Sequence, residues 1–323
     1  MVLTLSDEDV DAVLDLPSVA DAVERALVEQ TAGNVERPHR PHYPIGEGIE
    51  SEEALGTGLA MPAYIHGDPY FSTKLASVFP GNDERGLPSL HAQLVLGDAG
   101  TGEPLAFLNA TRLTNARTGC IGGLAARELA TDPVRVGVVG AGAQARWQTR
   151  AIAALCDVAS VSVYSPSDSK HDCAAALRED GLDATAVASA EEAVEDATVV
   201  VTATTSSTPV FPAEALSPGT LVVAVGAYTA EMQELEPAVF DRAARVFADV
   251  PEEVAAIGDV AATDLGVDDL VPMGSLFDGS SGRESAEEVL VVDSVGSAVF
   301  DVAAASVLYD AAHEAGLGTE LSL

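Results

Sequence analysis

The chain has 323 residues, 47% of them apolar but only 5% aromatic, and carries a net charge of −35 at pH 7. That length gives room for two domains and a sizeable core. The charge speaks against nucleic acid as a partner, since phosphate binding needs the opposite sign. No stretch approaches the roughly 18 uninterrupted apolar residues that a membrane span needs, so no membrane association is expected.

The opening run MVLTLSDEDVDAV turns acidic at once and has no basic leader before an apolar segment. No signal peptide is expected, and the chain reads as cytoplasmic. Cys120, Cys156 and Cys173 are odd in number and widely spaced, as suits reduced thiols. Neither they nor the histidines show metal-ligand spacing, so no metal is expected.

Residues 1–32 read as helical. Ser6 to Asp9 has the form of a capping box, and Pro17-Ser18 opens a second helix with Val19, Val23, Ala26 and Leu27 on one face. Residues 35–112 alternate short apolar runs with turn residues and read as an antiparallel β region, with LVLGDAGTGEPLAFL as a hairpin. Residues 113–130 read as a helix whose small residues suit close packing.

From residue 134 the pattern becomes β-α-β. Strands are expected at 134–139, 160–164, 184–188, 197–203 and 220–225, with a last one near 245–249. Helices are expected at 143–155 and 168–180, and a short one follows Ser189, capped with Glu192. This alternation predicts a doubly wound parallel sheet. After about 250 the text is polar and glycine-rich until a long helix from Ser297, with Val299, Val302, Ala303 and Leu308 facing inward. A nucleotide domain inserted between a β-rich domain and its returning helix is the expected layout.

The run VRVGVVGAGAQAR, residues 134–146, is the strongest local signal. Val134, Val136, Val138 and Val139 read as a buried strand. Gly140 permits the tight turn, and Gly142 removes a side chain where backbone must approach phosphate. Ala143 and Ala145 are expected to hold the following helix close to the sheet. That helix points free N–H groups at a dinucleotide pyrophosphate.

Lysine usage supplies a second clue. The chain has only two, Lys74 and Lys170. Lys74 lies in YFSTKLASVF on a predicted strand among apolar neighbours, where an unpaired ammonium costs on the order of several kcal/mol. It calls for an anion. Arg40 and Arg117 add guanidiniums able to grip a carboxylate with two parallel hydrogen bonds.

Several stretches together resemble the ornithine cyclodeaminase/mu-crystallin family: LAMPAY (59–64), STKLASVFPGN (72–82), GLPSLHAQLVL (86–96), TGEPLAFLNATRLTNARTG (101–119), VVGAGAQA (138–145), VTATTSSTPV (201–210), VGAYTAEMQEL (225–235) and the long run 282–312. They span nearly the whole chain in family order. The resemblance implies an α/β fold, with a Rossmann doubly wound parallel sheet inserted into a discontinuous α+β domain. The boundaries that follow are 120–297 for the NAD(P)-binding domain, and 1–119 with 298–323 for the substrate-binding and dimerisation domain. It further implies a homodimer and a bound NAD(H) or NADP(H).

Carried over by the same resemblance, Arg40, Lys74 and Arg117 match the substrate-carboxylate cluster. Arg117, Thr118 and Gly119 fall beside the cofactor phosphates, and Gly140, Gly142, Ala143 and Gln144 match the phosphate turn. Thr202, Ala203 and Thr204 match the loop flanking the nicotinamide half, and Val225 with Gly226 falls beside its ring.

Two departures shape the expected activity. Cyclodeaminases, and the archaeal alanine dehydrogenase pattern, carry a proton-transferring acid where this chain has Tyr228, whose phenol, with a pKa of about 10, is a poor base at neutral pH. Ketimine reductases of the mu-crystallin type also lack that acid, and Leu59 fits their pattern where alanine dehydrogenases carry arginine. The second departure is the end of the second nucleotide-domain strand. There an NAD-binding fold usually places Asp or Glu against the ribose. This chain has Ser165 and Ser167, with Lys170 nearby and Asp168 expected to cap the next helix, which favours NADP(H).

The expected protein is an NAD(P)H-dependent oxidoreductase reducing an α-imino or α-keto acid, such as pyrroline-2-carboxylate, to an L-amino acid. Lys74 is the best-placed candidate to supply a proton or stabilise the charge on nitrogen, and Tyr228 a lesser one. Alanine dehydrogenase is the runner-up, then ornithine cyclodeaminase, then a ligand carrier.

The dispersed acids resemble the composition of proteins from salt-loving organisms. Self-repulsion at this charge destabilises the compact state unless salt screens it. The melting temperature should therefore rise between roughly 0.1 M and several molar salt, and an unchanged value would contradict the screening argument.

Overall fold

The computed structural model describes residues 1–49 and 51–322, and of Asp83 and Glu84 the backbone alone. The chain opens with β1 (Val2–Leu5), not with a helix. VLTL pairs parallel with a later strand of the first sheet, and that long-range pairing overrides the helical reading of the first five residues. Ser6 then caps α1 (Asp7–Val13): its hydroxyl accepts from the Asp9 N–H at 3.2 Å while the Asp9 carboxylate accepts from the Ser6 N–H at 2.9 Å. Asp15 caps α2 (Leu16–Thr31), with Pro17 in its first turn and Val19, Val23, Ala26 and Leu27 buried.

The β region follows as β2 (Val35–Glu36), β3 (His42–Ile45), β4 (Gly56–Ile65), β5 (Tyr70–Val78), β6 (Leu90–Asp98) and β7 (Pro104–Asn109). Strand alternation on β5 buries Ser72 and Lys74 and exposes Phe71 and Leu75. The expected hairpin joins β6 and β7. Its loop is closed by Asp98, whose carboxylate accepts from the Gly100 and Thr101 N–H groups.

Next comes α3 (Thr111–Leu129). The small residues of this helix have a use: a Cβ on Gly119 would lie 2.5 Å from the Trp147 carbonyl oxygen, and one on Gly123 2.8 Å from that of Ala151. The backbones of two helices touch there.

The second sheet is built from β8 (Val134–Val139), α4 (Ala143–Leu155), β9 (Val158–Tyr164), α5 (Ser169–Glu179), β10 (Ala184–Ala186), α6 (Ala190–Val194), β11 (Val199–Thr202), β12 (Leu221–Ala224), α7 (Pro237–Arg242), β13 (Ala243–Ala248), α8 (Pro251–Val254), α9 (Gly258–Ala261), β14 (Leu270–Pro272) and β15 (Val289–Asp293). The strands run in the order β10-β9-β8-β11-β12-β15-β13-β14, with every pairing parallel. This is the doubly wound Rossmann arrangement, with its switch point between β8 and β11.

Residues 243–248 are not the last strand of the series, as the sequence suggests. Val289–Asp293 inserts between β12 and β13, buried on both faces like any central parallel strand. It escapes notice because its apolar run leads almost without a break into the helix that follows.

That helix, α10 (Ala298–Ala315), and β16 (Thr319–Leu321) return to the first sheet. There β16 pairs antiparallel with β1, giving the order β16-β1-β7-β6-β5-β4-β2, with β3 also on β4. α10 packs on α2 and across β4 and β5, with Val299, Val302, Ala303 and Leu308 buried. The chain thus forms two compact units, residues up to Arg117 with those from Ala298 onward, and Thr118–Ser297. The change of unit falls inside α3.

Gly119 offers a test of the tight helix packing. Alanine gains about 1 kcal/mol over glycine in a helix interior, but forcing a methyl against a backbone carbonyl costs about 1–3 kcal/mol. Gly119→Ala should therefore lower the melting temperature. An equal or higher value would show that the two helices yield freely.

Candidate active site

Alternation on β5 turns Lys74 inward, and the first turn of α10 brings Asp301 to it. The ammonium nitrogen lies 2.7 Å from Asp301 Oδ2, and Arg117 Nε donates to Oδ1 at 2.9 Å. Lys74 and Asp301 are 2% and 0% exposed as side chains, and Arg117 is 6% exposed. Two buried cations therefore share one carboxylate, an arrangement with a net positive charge.

Burial is the largest influence on Lys74 and pushes its ammonium down to about 8; Asp301 opposes this, while the charges of Arg117 and Arg40 add to it. Burial also works against the charged form of Asp301, but Arg117 and Lys74 together outweigh it and hold that carboxyl below its usual value. Arg40 is half-buried in the segment between β2 and β3, near enough for its charge to act on Lys74. Of the residues nominated for the carboxylate, Lys74 and Arg117 meet on Asp301, and Arg40 is linked to them by its charge on Lys74.

In the second unit, the turn after β8 has the shape a dinucleotide needs. Gly140 has φ +120°, and a Cβ there would strike the Ala203 carbonyl. Gly142 starts α4, no side chain caps the helix there, and a Cβ on Gly142 would meet open space. The first N–H groups of a 13-residue helix are thus left for an anion. The fit is good. Gln144 is half-buried on the first turn of α4, and Thr118 O accepts from Gln148 Nε2 at 2.8 Å.

Two expectations for this turn need correction. Ala143 is exposed and does not pack the helix onto the sheet, since the first turn of α4 points it away; Ala145, fully buried, does. Asp168 stands at the start of α5, but its side chain makes no capping bond. Hydroxyls fill the region instead: Ser167 Oγ lies 2.6 Å from Ser169 Oγ and 3.2 Å from Ser165 Oγ. Lys170 lies over the Tyr164 ring, 5.2 Å from its centroid. Thr202, Ala203 and Thr204 leave the end of β11, and Val225 and Gly226 leave the end of β12, side by side at the carboxyl edge of the sheet.

A model of the ornithine cyclodeaminase/mu-crystallin family matches residues 1–316. The chain belongs to that family. Among its relatives is the alanine dehydrogenase of Archaeoglobus fulgidus, 33% identical over 99% of this chain and 98% of that protein. An archaeal alanine dehydrogenase dimer solved with bound NAD superposes with a TM-score of 0.89 at 30% identity, covering 99% of each chain. Thermococcus litoralis Δ(1)-pyrroline-2-carboxylate reductase, solved with NADH and L-proline, also gives 0.89, at 28% identity over 99% of this chain and 100% of that one.

In this family member Tyr228 sits in the loop after β12, 43% exposed, and partial burial pushes its phenol above the usual value. It is still less a base at neutral pH than a free tyrosine. Two residues escaped the sequence reading. Asp301 is the acid that pairs the cluster; its only local sign is a charge set in the apolar run SAVFDVAAAS. Glu234 is the other. It is fully buried after β12, with Asp259 (1% exposed) and Asp293 (4%) in the same unit.

Burial pushes Glu234 up to about 7 and Asp259 up to about 6, and Asp293 is raised well above the usual range by burial and by Asp259, Asp249 and Glu234. Carboxyls raised on folding stabilise the protein fully below their unfolded values, and that contribution is lost as pH climbs through the folded ones. The melting temperature should therefore fall between about pH 4 and pH 7. Asp293→Asn should flatten that fall, and an identical slope in the variant would contradict the assignment.

Proposed function

We propose that the chain is an NAD(P)H-dependent oxidoreductase that reduces the C=N bond of an α-imino acid to an L-amino acid, with a small cyclic ketimine carboxylate such as pyrroline-2-carboxylate as substrate. The observation that carries this reading is the buried Lys74–Asp301–Arg117 cluster: two cations on one carboxylate leave a charge that a substrate carboxylate neutralises. When bound, the reduced nicotinamide supplies the hydride.

The residues divide the remaining work. Asp301 fixes the plane of the Arg117 guanidinium through Nε, which presents its other nitrogens as a fork to the substrate carboxylate. Arg40 adds a second positive charge. Lys74, held at about 8, gives a proton to the imine nitrogen and regains one readily near neutral pH. Tyr228 is a hydrogen-bond donor in this scheme.

Hydroxyls of Ser165, Ser167 and Ser169 with Lys170, and no carboxylate in their hydrogen-bonded set, support NADP(H) over NAD(H). The solved neighbours hold NAD and NADH. A homodimer is part of the same proposal, supported by the dimeric archaeal neighbour. So is a cytoplasmic location, supported by Cys120, Cys156 and Cys173 remaining thiols, with no disulfide among the described residues. Alanine dehydrogenase is the second reading, favoured by the Archaeoglobus relative.

The test follows the absorbance of NADPH and NADH in concentrated salt with pyrroline-2-carboxylate, with pyruvate plus ammonia, and with ornithine. Oxidation with the first substrate alone is expected. Reaction only with pyruvate and ammonia would install the second reading. Lys74→Met leaves Arg117 and Asp301 as a neutral pair, so the variant should fold while kcat/KM drops by at least about 10²-fold. Wild-type kcat/KM should decline as pH rises through about 8, where the ammonium loses its proton, and near-wild-type turnover in the variant would remove Lys74 from the mechanism.

A further inference from the structure

The carboxyl edge of the parallel sheet holds a buried acid that the proposed reaction does not use. Glu234 Oε1 accepts from the Thr204 N–H at 2.6 Å. Its Oε2 accepts from the Gly226 N–H at 2.8 Å and from the Thr202 hydroxyl at 3.0 Å. Thr202 ends β11, and Gly226 lies two residues beyond the end of β12. One side chain thus ties together the segments leaving two neighbouring strands. Behind it, Asp259 Oδ1 accepts from the Glu234 and Leu235 N–H groups at 2.6 and 2.7 Å and holds the acid's own backbone.

All three donors point at Glu234, so only a side chain with an acceptor at both ends matches them. A buried carboxylate close to Asp259 and Asp293 is a poor choice for stability alone, because like charges and lost hydration both oppose it. Its position explains its presence. In a doubly wound sheet the pyrophosphate sits at the turn after β8, and the ribose nearest the adenine sits at the end of β9. The other half of the dinucleotide then lies toward β11 and β12. The Ala203 carbonyl, between two of the tied residues, abuts the glycine turn at Gly140.

We propose that Glu234 is a positioning residue: it staples segments 202–204 and 225–226 together and so sets where the nicotinamide is held for hydride transfer. The inference rests on the proposed dinucleotide chemistry. It acts through backbone geometry, so its loss should be felt in the hydride step more than in binding of the imino acid.

Two variants separate this from a merely structural acid. Glu234→Gln keeps the size but turns one acceptor into an NH₂ group facing a backbone N–H. Asp293→Asn removes a buried titratable acid from the same region and leaves the three bonds intact. Both should fold: Glu234→Gln with a lower melting temperature, since one buried N–H loses its acceptor, and Asp293→Asn with one at least as high as wild type at neutral pH. Glu234→Gln should lower kcat by about 10- to 10²-fold, the scale of small misplacements in an active site. Its KM for the imino acid should change little, and the isotope effect with 4-deuterated NADPH or NADH should increase.

Asp293→Asn should keep wild-type kcat. Wild-type kcat in Glu234→Gln, or an equal loss in both variants, would overturn the staple. If Glu234→Gln does not fold, Thr202→Val removes one donor and leaves the acid in place. A lower kcat at unchanged substrate KM then supports the proposal, and an unchanged kcat overturns it. A wild-type protein that neither binds nor oxidises reduced dinucleotide, by fluorescence and absorbance, would instead refute the proposed function itself.

Discussion

The ion pair between Lys74 and Asp301, with Arg117 on the second oxygen, is the constraint on which the first unit's buried polar cluster depends. A buried ammonium or carboxylate alone would change protonation state or unfold its surroundings; removing one partner of such a pair costs about 3–5 kcal/mol. Here one carboxylate serves two cations, so the cluster folds without being neutral. Burial, aided by the charges of Arg117 and Arg40, makes Lys74 easier to deprotonate, and under the proposed function the surplus positive charge is what draws a substrate carboxylate.

The second unit poses the reverse problem. Its sheet edge buries Glu234, Asp259, Asp249 and Asp293; backbone N–H groups donate to the first three, joined by the hydroxyls of Thr202 at Glu234 and Ser294 at Asp249. Amides are fixed donors on the loops themselves, so a carboxylate that they satisfy also fixes the loops. Acid is used there as a mould for backbone, whereas in the first unit it orients side chains.

Legibility in the sequence followed the range of the interaction. The glycine turn, the Ser6 capping box and the β6–β7 hairpin each depend on residues close together in the chain, and each could be read. Lys74 stood out because lysine is so scarce. Asp301 did not, since its partner Arg117 is 184 positions away and nothing local announces it. Glu234 was hidden among 51 acidic residues, where composition gives no reason to select one. The strand Val289–Asp293 was missed for a related cause: its neighbours β12 and β13 lie far off in sequence, and only the completed sheet shows why its valines are needed. Asp168 fails as a cap although its residue type is right, because its backbone is already helical (φ −68°, ψ −11°) where a capping side chain needs an extended one.

Because α10 supplies Asp301, the first unit has no counter-ion for Lys74 until residues 298–315 have left the ribosome. A nascent chain ending before them must leave that strand hydrated or its lysine neutral, with the inserted sheet free to form earlier. The Lys74–Asp301 pair is therefore completed only after the inserted sheet has been synthesised, and fragments cut short of α10 would carry that sheet beside a lysine without its acid.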